Sequence, residues 1–342
     1  MSKRFSHLQV LYLIIPKRCG LLDALCIPVD SSLRAKRHAA WIRSDVALMA
    51  RNGLKSLLSF AVVLACGAAT AQAQVSIGPQ GPEEGVIRQQ SWLIPAQDRA
   101  TLMRTTVYRP QGAGPFPLAV INHGTTQNEL RRAGLRAPQY TALTEWLVAR
   151  GYAVAVPQRP GHGETGGPYY EAQGGCANAD FAKAGLGAAA SIAAAVDYLS
   201  RQLFVRKTGT VAFGHSAGGW GVLALTTQAL RPLSGVVAFA PGLGGRADDV
   251  AGKNCAPDRL VAAARGYGEK ARVPSLWLYA ANDSYFSPEL STRMVQAFRG
   301  AGGRAEYQLL PATGSDGHEF IQSTDAVTLW APAVEKFLKT LK

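Results

Sequence analysis

The sequence predicts an α/β domain in which a mostly parallel, doubly wound sheet is flanked by helices. Short apolar runs alternate with segments of helical spacing along residues 84–342. Parallel strands that are buried on both faces read as continuous apolar runs, and the connecting helices cover the sheet. Hydrophobic residues make up 47% of the 342 residues and charged residues 17%, a balance typical of a globular protein.

The first half of this domain is predicted to open with two extended segments, followed by a strand, a helix and a strand. The helical segment ends on Gly151, a common residue just after a helix. The predicted elements are extended segments over 86–95 and 100–110, a strand over 117–124, a helix over 139–151 and a strand over 152–161.

The second half continues the alternation of strands and helices. Two stretches interrupt it, 161–180 and 242–272, and we expect them to form a small loop cap over the functional edge of the sheet. The predicted elements are helices over 181–203, 217–230, 288–302 and 325–341, and strands over 209–216, 233–242, 274–283 and 305–314.

Residues 49–73 have the layout of a bacterial secretory signal peptide. Basic residues precede an apolar run over 57–69, and Ala71-Gln72-Ala73 forms a small-x-small cleavage site. We expect cleavage near Ala73 and a periplasmic or secreted protein, with no stable membrane insertion after the signal is removed. The alternatives are a transmembrane anchor, for which the run is short, and lipidation at Cys66, which has a poor lipobox.

A complete signal at 49–73 leaves no clear purpose for residues 1–48. We therefore interpret 1–48 as a non-native upstream extension, with translation starting at Met49. The alternative is that these residues are lost together with the signal. The expected organisation is an extension over 1–48, a signal peptide over 49–73 and a single α/β domain over 74–342.

The formal net charge of +13 is concentrated in the N-terminal segment. Residues 1–73 hold ten of the 36 basic residues and three of the 23 acidic residues. Basic residues elsewhere are scattered, so we expect no nucleic-acid partner. No coiled-coil pattern indicates a protein partner, and the oligomeric state stays open.

Two of the five cysteines, Cys176 and Cys255, lie in the predicted mature domain. An even pair in an oxidising compartment predicts one disulfide bond, and two separate buried thiols are the alternative. Because the two cysteines fall in the two interrupting stretches, the bond is expected to join both loops near the mouth of the site.

Residues 214–218, Gly-His-Ser-Ala-Gly, match the pattern G-x-S-x-G around Ser216. The motif lies between a predicted strand and a predicted helix, where a sharp turn lifts a serine hydroxyl above the sheet edge. Small flanking residues are needed because the turn leaves no room for side chains. The sequence therefore predicts a nucleophile, and an ordinary glycine-rich turn is the alternative.

A serine nucleophile needs a base, and the base needs a group that orients it. Asp283 follows an apolar strand, and His318 lies in the loop after the last strand, so the chain order is Ser216, Asp283, His318. This is the order expected for a catalytic triad in this type of fold. A helix cap at Asp283 and a solvated loop residue at His318 are the alternatives.

The predicted oxyanion hole consists of two backbone N–H groups. One belongs to Ala217, directly after the nucleophile, and the other to Thr125, with Gly124 or Thr126 as near alternatives. We expect no metal site, since no cluster of His, Asp or Glu has ligand spacing.

Several aromatic or imidazole side chains lie near these loops or near the motif, and we expect them to line a substrate pocket. Packing in the core is the alternative. These residues are His123, Tyr169, Tyr170, Trp220, Tyr285 and Phe286.

Five motifs, NHGTTQN, PQRPGHGETGG, GHSAGGW, YAANDSYF and DGHEF, occur in an order that resembles the α/β-hydrolase superfamily. Within it, the chain is similar to the dienelactone-hydrolase-like and serine-esterase branch. This resemblance implies a cofactor-free hydrolase that forms an acyl-serine intermediate with a small-molecule ester. Dienelactone hydrolases use a cysteine nucleophile, and Ser216 in its place favours ordinary ester chemistry.

The sequence thus predicts an exported serine hydrolase that cleaves a carboxylic ester. One alternative is a serine peptidase of the same fold, although such peptidases usually carry a propeller or a large cap that we do not expect here. The other is a non-catalytic, hydrolase-like binding protein, which would be expected to have lost a triad residue.

Overall fold

The computed structural model describes residues 76–341 of the chain. The expectations for residues 1–73, including the signal peptide and Cys66, lie outside the described residues and stay predictions. Among the described residues, no helix combines the length and the apolar character needed to span a membrane.

Within residues 76–341, nine strands form one sheet in the order β1-β2-β3-β5-β4-β6-β7-β8-β9. The first three strands are antiparallel and β3 is antiparallel to β5, whereas the neighbours from β5 across to β9 are parallel. The predicted mostly parallel sheet is confirmed. The strands are β1 (Gly78–Pro79), β2 (Gln90–Pro95), β3 (Leu102–Tyr108), β4 (Leu118–Asn122), β5 (Ala153–Pro157), β6 (Thr210–His215), β7 (Leu233–Phe239), β8 (Ser275–Ala280) and β9 (Ala305–Leu310).

The central strands β4, β5, β6 and β8 are buried at every position, because helices cover the sheet. This burial explains why their sequences read as unbroken apolar runs. The helices are α1 (Glu129–Ala133), α2 (Thr141–Val148), α3 (Phe181–Leu199), α4 (Ala217–Leu225), α5 (Pro257–Gly268), α6 (Pro288–Gly300) and α7 (Val327–Thr340).

Small residues bring α3 and α4 close together. A Cβ atom at Gly221 of α4 would lie 2.7 Å from Cβ of Ala188 on α3, so a side chain at this position would force the helices apart. The alanine-rich sequence of α3 therefore serves close packing. Its start is fixed by Asp180, whose side chain accepts a hydrogen bond from the backbone N–H of Lys183.

Several predicted boundaries were wrong. The stretch 242–272 contains α5, and the helix predicted over 217–230 ends at Leu225. The missed helix begins with Pro257, the favoured first position of a helix, and buries Leu260, Ala264 and Tyr267 on one face. The short elements β1 and α1 were also not predicted.

The predicted disulfide bond is present. The sulfur atoms of Cys176 and Cys255 are 2.07 Å apart, and the bond joins positions 79 residues apart in the chain. It links the 161–180 stretch to the segment before α5. The two stretches that interrupt the strand–helix alternation are therefore covalently tied, as expected for a small loop cap.

The parallel strands bring the predicted site residues to one edge of the sheet. Thr125, Ser216, Asp283 and His318 all follow the carboxyl ends of strands: β4, β6, β8 and β9, respectively. Carboxyl ends of neighbouring parallel strands meet at the same edge, where ligands bind in folds of this class.

Candidate active site

Ser216 occupies a strained turn between β6 and α4. Its φ of 53° and ψ of −120° are unusual for a residue with a side chain. A Cβ atom at Gly214 would collide with the carbonyl oxygen of Gly218, and one at Gly218 with that of Asn122. The two glycines of the motif are thus required by the close approach of strand, turn and helix.

The Asp283 carboxylate faces the imidazole of His318. The Nδ1 atom of His318 lies 3.1 Å from Oδ1 and 3.2 Å from Oδ2 of Asp283. Both residues are buried, with 6% of Asp283 and 2% of His318 exposed. His318 is therefore not a solvated loop residue, and an ionised Asp283 holds the Nδ1–H tautomer, which leaves Nε2 as the basic nitrogen.

Asp283 is also fixed by its own loop. Its Oδ1 accepts backbone hydrogen bonds from Tyr285 at 2.8 Å and from Phe286 at 3.0 Å. The cap of α6 is instead Ser287, whose hydroxyl accepts from the N–H of Leu290. These hydrogen bonds orient the Asp283 carboxylate independently of its contact with His318.

Tyr285, His215 and Asp316 hold His318 in addition to Asp283. The ring of Tyr285 stacks on the imidazole with centroids 4.0 Å apart and planes 23° apart. Nε2 of His215 lies 2.9 Å from the His318 carbonyl oxygen, and Oδ1 of Asp316 accepts from the His318 N–H at 2.9 Å. His318 is therefore held through one face of its imidazole ring and through its backbone N–H and carbonyl groups.

His215 contributes to this arrangement in its neutral form. Burial and, to a smaller extent, the nearby His318 lower its pKa to about 3, against the opposing effect of the bond to the His318 carbonyl. Because a carbonyl only accepts, the Nε2 atom of His215 carries the hydrogen that is donated to it.

Asp316 joins the loop of His318 to the loop of Asp283. Besides the His318 N–H, its carboxylate accepts from the backbone N–H of Ser284 at 3.1 Å and from the Ser284 hydroxyl at 2.5 Å. Burial would raise the pKa of Asp316, but these hydrogen bonds outweigh burial and lower the pKa. Each loop therefore carries a carboxylate that accepts hydrogen bonds from the other loop.

Two cavities of similar size open beside Ser216. The first has a volume of about 360 Å³ and is lined by Ser216, His318 and Tyr140 among others. The second, of about 350 Å³, is lined by Ser216, Ala217 and both cysteines of the disulfide. Four residues line both cavities: Thr125, Thr126, Ser216 and Tyr285.

The segment predicted to supply the oxyanion hole lies next to the serine. A Cβ atom at Gly124 would be 3.3 Å from Cβ of Ser216, so the backbone after β4 passes directly against the serine side chain. Thr125 lines both cavities, and Ala217 is the first residue of α4. Their role as donors stays a prediction.

The predicted pocket residues separate into different positions. His123 lines the first cavity, Phe286 the second and Tyr285 both. Tyr169 lies behind the wall, where its ring is 5.5 Å from that of His162 and 3.7 Å from the Arg132 guanidinium carbon.

Trp220 and Tyr170 line neither cavity, and placing them in the pocket was wrong. Trp220 is fully buried on α4, where its Nε1 donates to the Phe181 carbonyl and its ring packs on Tyr267. The helical position turns its side chain toward α3 and away from the serine. Tyr170 instead donates its hydroxyl to Asp98.

The sequence analysis missed a buried ion pair below the site. Arg159 makes two bonds to the Glu171 carboxylate, at 2.6 and 2.9 Å, and a third to the His123 carbonyl at 2.8 Å. Both ends of the pair are buried. An arginine two residues after β5 and a glutamate in the following loop were the available signal.

His215, His318 and Glu319 place one ligand-type atom each within 4.8 Å of one another. Hydrogen bonds already occupy Nδ1 of His318 and Nε2 of His215. Glu319 is exposed and accepts from Gln322. These bonds account for the grouping.

Comparison with known proteins gives the fold of the chain. Residues 138–249, less than half of the chain, match the model of the prolyl oligopeptidase family. Among curated protein sequences, none matches this chain.

Several solved structures are similar in fold. An esterase of Pyrococcus furiosus aligns with a TM-score of 0.51 at 15% identity, over 79% of this chain and 98% of the esterase. The Pyrococcus horikoshii acylaminoacyl peptidase aligns with a TM-score of 0.55 at 12% identity, over 76% of this chain but only 42% of the peptidase. A puromycin-hydrolyzing peptidase of Mycobacterium tuberculosis aligns with a TM-score of 0.52 at 16% identity, over 74% of this chain and 39% of the peptidase.

These similarities establish that the chain has the α/β-hydrolase fold, in agreement with the resemblance seen in the sequence. The chain spans nearly the whole length of the esterase and less than half of each peptidase.

Proposed function

We propose that this chain is an exported serine hydrolase that cleaves a carboxylic ester through an acyl-serine intermediate. The observation that carries the proposal is the shared cavity: a serine in a strained strand-to-helix turn and a carboxylate-bound histidine line the same space. A nucleophile, a base and a group that orients the base are the parts that acyl transfer needs.

Each residue has a distinct step in the proposed reaction. Nε2 of His318 takes the proton from the Ser216 hydroxyl as its oxygen attacks the ester carbonyl carbon. The same proton then passes to the departing alkoxide when the tetrahedral intermediate collapses. Asp283 stabilises the imidazolium that exists between these events. A water molecule then attacks the acyl group by the same route and releases the acid.

Backbone N–H groups of Ala217 and Thr125 are proposed to bind the oxyanion of both tetrahedral intermediates. Support comes from the position of Ala217 at the start of α4 and from the close approach of Gly124 to Ser216. The partial positive charge of a helix N-terminus adds to the stabilisation at Ala217.

The two cavities favour a small substrate with a group on each side of the ester. Each has a volume of roughly 350 Å³, and Ser216 lies on the wall of both. An acyl group in one cavity and an alcohol group in the other would place the ester carbon beside Ser216. The fold similarity to an esterase along nearly its whole length supports an ester as the substrate.

The proposal is tested by hydrolysis of p-nitrophenyl acetate, butyrate and octanoate. Wild-type protein, exported from a bacterial host, is compared with Ser216→Ala and with Ser91→Ala, a control at an exposed position on β2. We expect Ser216→Ala to lower kcat by several orders of magnitude, up to about a millionfold. Equal turnover by wild type and Ser216→Ala would refute the proposed nucleophile.

A serine peptidase is the second candidate function. It is favoured by the match of residues 138–249 to the prolyl oligopeptidase family and by the fold similarity to two peptidases. The same two variants are assayed with N-acylaminoacyl and aminoacyl p-nitroanilides. Turnover of anilides, lost in Ser216→Ala, in the absence of ester turnover would favour the peptidase.

A further inference from the structure

The side chain of Thr125 is part of a directed chain of hydrogen bonds that begins at His162. Nδ1 of His162 lies 3.1 Å from the carbonyl oxygen of Arg159 and 3.0 Å from that of Pro160. Carbonyl oxygens only accept hydrogen bonds, so Nδ1 carries the hydrogen. The other nitrogen, Nε2, is then an acceptor in the neutral ring.

The surroundings keep this ring neutral. Burial lowers the pKa of His162, and the Arg159 guanidinium lowers it further, although the Glu171 carboxylate acts in the opposite direction. The ring is buried, and its edge-on neighbours are His123 and Tyr169. Nε2 therefore presents a lone pair.

The Thr125 hydroxyl gives its hydrogen to that lone pair. Oγ1 of Thr125 lies 2.5 Å from Nε2 of His162. The Thr126 carbonyl oxygen is a second acceptor within reach, but at 3.5 Å it is much farther from Oγ1 than Nε2 of His162 is. The Thr125 hydrogen is therefore committed to His162.

Both lone pairs of the Thr125 oxygen are left by this count. A hydroxyl has one hydrogen and two lone pairs, and His162 takes the hydrogen. Thr125 lines both cavities beside Ser216. The side chain can thus accept a hydrogen bond from a bound molecule but has no hydrogen to offer it.

We propose that the substrate carries a hydroxyl or N–H donor close to its scissile carbonyl, and that the Thr125 oxygen accepts a hydrogen bond from this donor. The inference rests on the proposed hydrolase function and names the class of substrate: hydroxy-acyl or N-acylaminoacyl esters. Thr125 then has two separate contributions, its backbone N–H toward the oxyanion and its side-chain oxygen toward the substrate donor.

Thr126 provides a matched control in the same cavities. It also lines both of them, and its hydroxyl oxygen accepts from the backbone N–H of Asn128 at 3.2 Å. Within residues 76–341 no histidine side chain accepts a hydrogen bond from it. Its hydrogen is therefore not committed in the way that the Thr125 hydrogen is.

The test compares esters that differ only in the donor. The pairs are ethyl 2-hydroxybutyrate and ethyl 2-methoxybutyrate, ethyl 3-hydroxybutyrate and ethyl 3-methoxybutyrate, and N-acetylglycine and N-acetylsarcosine ethyl esters. The readout is the ratio of kcat/KM within each pair, so a general loss of activity in a variant does not affect it. For at least one pair, wild type is expected to prefer the donor by roughly threefold to tenfold, the worth of one hydrogen bond.

The variants have distinct expected ratios. Thr125→Val removes the acceptor while keeping the shape and is expected to bring the ratio close to one. Thr125→Ser and Thr126→Val are expected to retain the wild-type preference. His162→Phe releases the Thr125 hydrogen, which can then donate to a methoxy oxygen, so the preference is expected to decrease here as well.

The inference and the proposed function fail in different ways. Ser216-dependent turnover with ratios near one for every pair in wild type, or a ratio that survives Thr125→Val, overturns the inference and leaves the hydrolase function intact. If wild type hydrolyses none of the esters, the hydrolase proposal fails for this class. Calorimetric binding of the same pairs to Ser216→Ala then decides the inference: tighter binding of the donor member supports it, and equal or absent binding overturns it.

Discussion

At the scale of single residues, the predicted catalytic pair of Asp283 and His318 depends on two carboxylates, each of which bonds to the opposite loop. Asp283, after β8, bonds to the imidazole that follows β9, and Asp316, after β9, bonds back to Ser284 after β8. Each carboxylate fixes the loop that carries the other. We infer that Asp316 is a positioning residue for His318.

This inference predicts the effect of replacing Asp316. Asp316→Ala removes three hydrogen-bond acceptor contacts, to the N–H and hydroxyl of Ser284 and to the N–H of His318. We expect kcat to fall by roughly tenfold to a hundredfold, because a misplaced base slows chemistry more than binding, with KM nearly unchanged. Steady-state kinetics on p-nitrophenyl butyrate measures both constants.

The exposed Asp325 provides the control for this substitution. Asp325→Ala is expected to leave kcat unchanged. An Asp316→Ala protein with wild-type kcat would show that the two loops hold His318 without the Asp316 carboxylate.

The triad candidates could be chosen from the sequence because their chain order and their places after strands are fixed by the fold. The pocket could not be chosen in the same way. Trp220 is close to Ser216 in sequence, but the helical rotation of α4 directs it into the core, where it bonds to the Phe181 carbonyl. Proximity in sequence carries no information on which face of a helix points to a cavity.

At the scale of elements, the disulfide bond holds the loop cap over the second cavity. Both cysteines line that cavity, and Ser216 lies on its wall. Outside α5, the described parts of the two stretches contain only three-residue 3-10 helices and irregular backbone. The covalent bond therefore adds to the packing that holds these segments in place.

Removing the bond is expected to destabilise the domain. The double variant Cys176→Ser/Cys255→Ser opens a loop closed over 79 residues, and we expect the free energy of unfolding to fall by about 2–4 kcal/mol. Urea denaturation measures the loss. Reduction of wild type should give the same decrease and have no effect on the double variant. Equal stability of wild type, reduced wild type and the double variant would argue against the bond.

Strand and helix types were predicted well where a buried element has a strong pattern, as in β4 and β6, which are apolar or buried throughout. The sequence analysis failed over 242–272. The glycine-rich, polar run before Pro257 is typical of a loop, and α5 has a mixed composition in which a single face is buried. This pattern predicted a loop where the structure has a helix. The packing of α5 against α6 could not be predicted from the residues of α5 alone.

At the scale of the whole molecule, buried histidines link folding to pH. Burial lowers the pKa of His123, His162 and His215, to about 3 for the last. Below a pH of about 6.5, the ordinary pKa of histidine, these side chains become protonated in the unfolded chain but stay neutral in the folded chain. Their contribution to stability is therefore fully present above this pH and is lost as the pH falls.

We expect the free energy of unfolding to decrease between about pH 6.5 and about pH 5, by up to roughly 1.4 kcal/mol per pH unit for each such histidine. Urea denaturation at several pH values measures the slope. The variant His123→Gln should have a smaller slope than wild type. A free energy of unfolding that stays constant across this range would contradict the neutral, buried state of these rings.

The N-terminal part of the chain gives a prediction on processing. The pattern over residues 49–73 predicts that the exported protein begins at Gln74. Intact-mass measurement of protein recovered from the periplasm or medium is expected to match residues 74–342. A recovered chain that retains residues 1–48 would contradict both the processing site and the interpretation of that extension.

The central claim is that Ser216 forms a covalent intermediate while His318 serves as its base. The most direct measurement is labelling of the exported protein with a fluorophosphonate, followed by mass spectrometry of its peptides. The account predicts a single phosphonyl group on the peptide that contains Ser216, no label in Ser216→Ala, and much slower labelling in His318→Ala. An active wild-type protein that stays unlabelled at Ser216, or is labelled on another serine, would contradict the account.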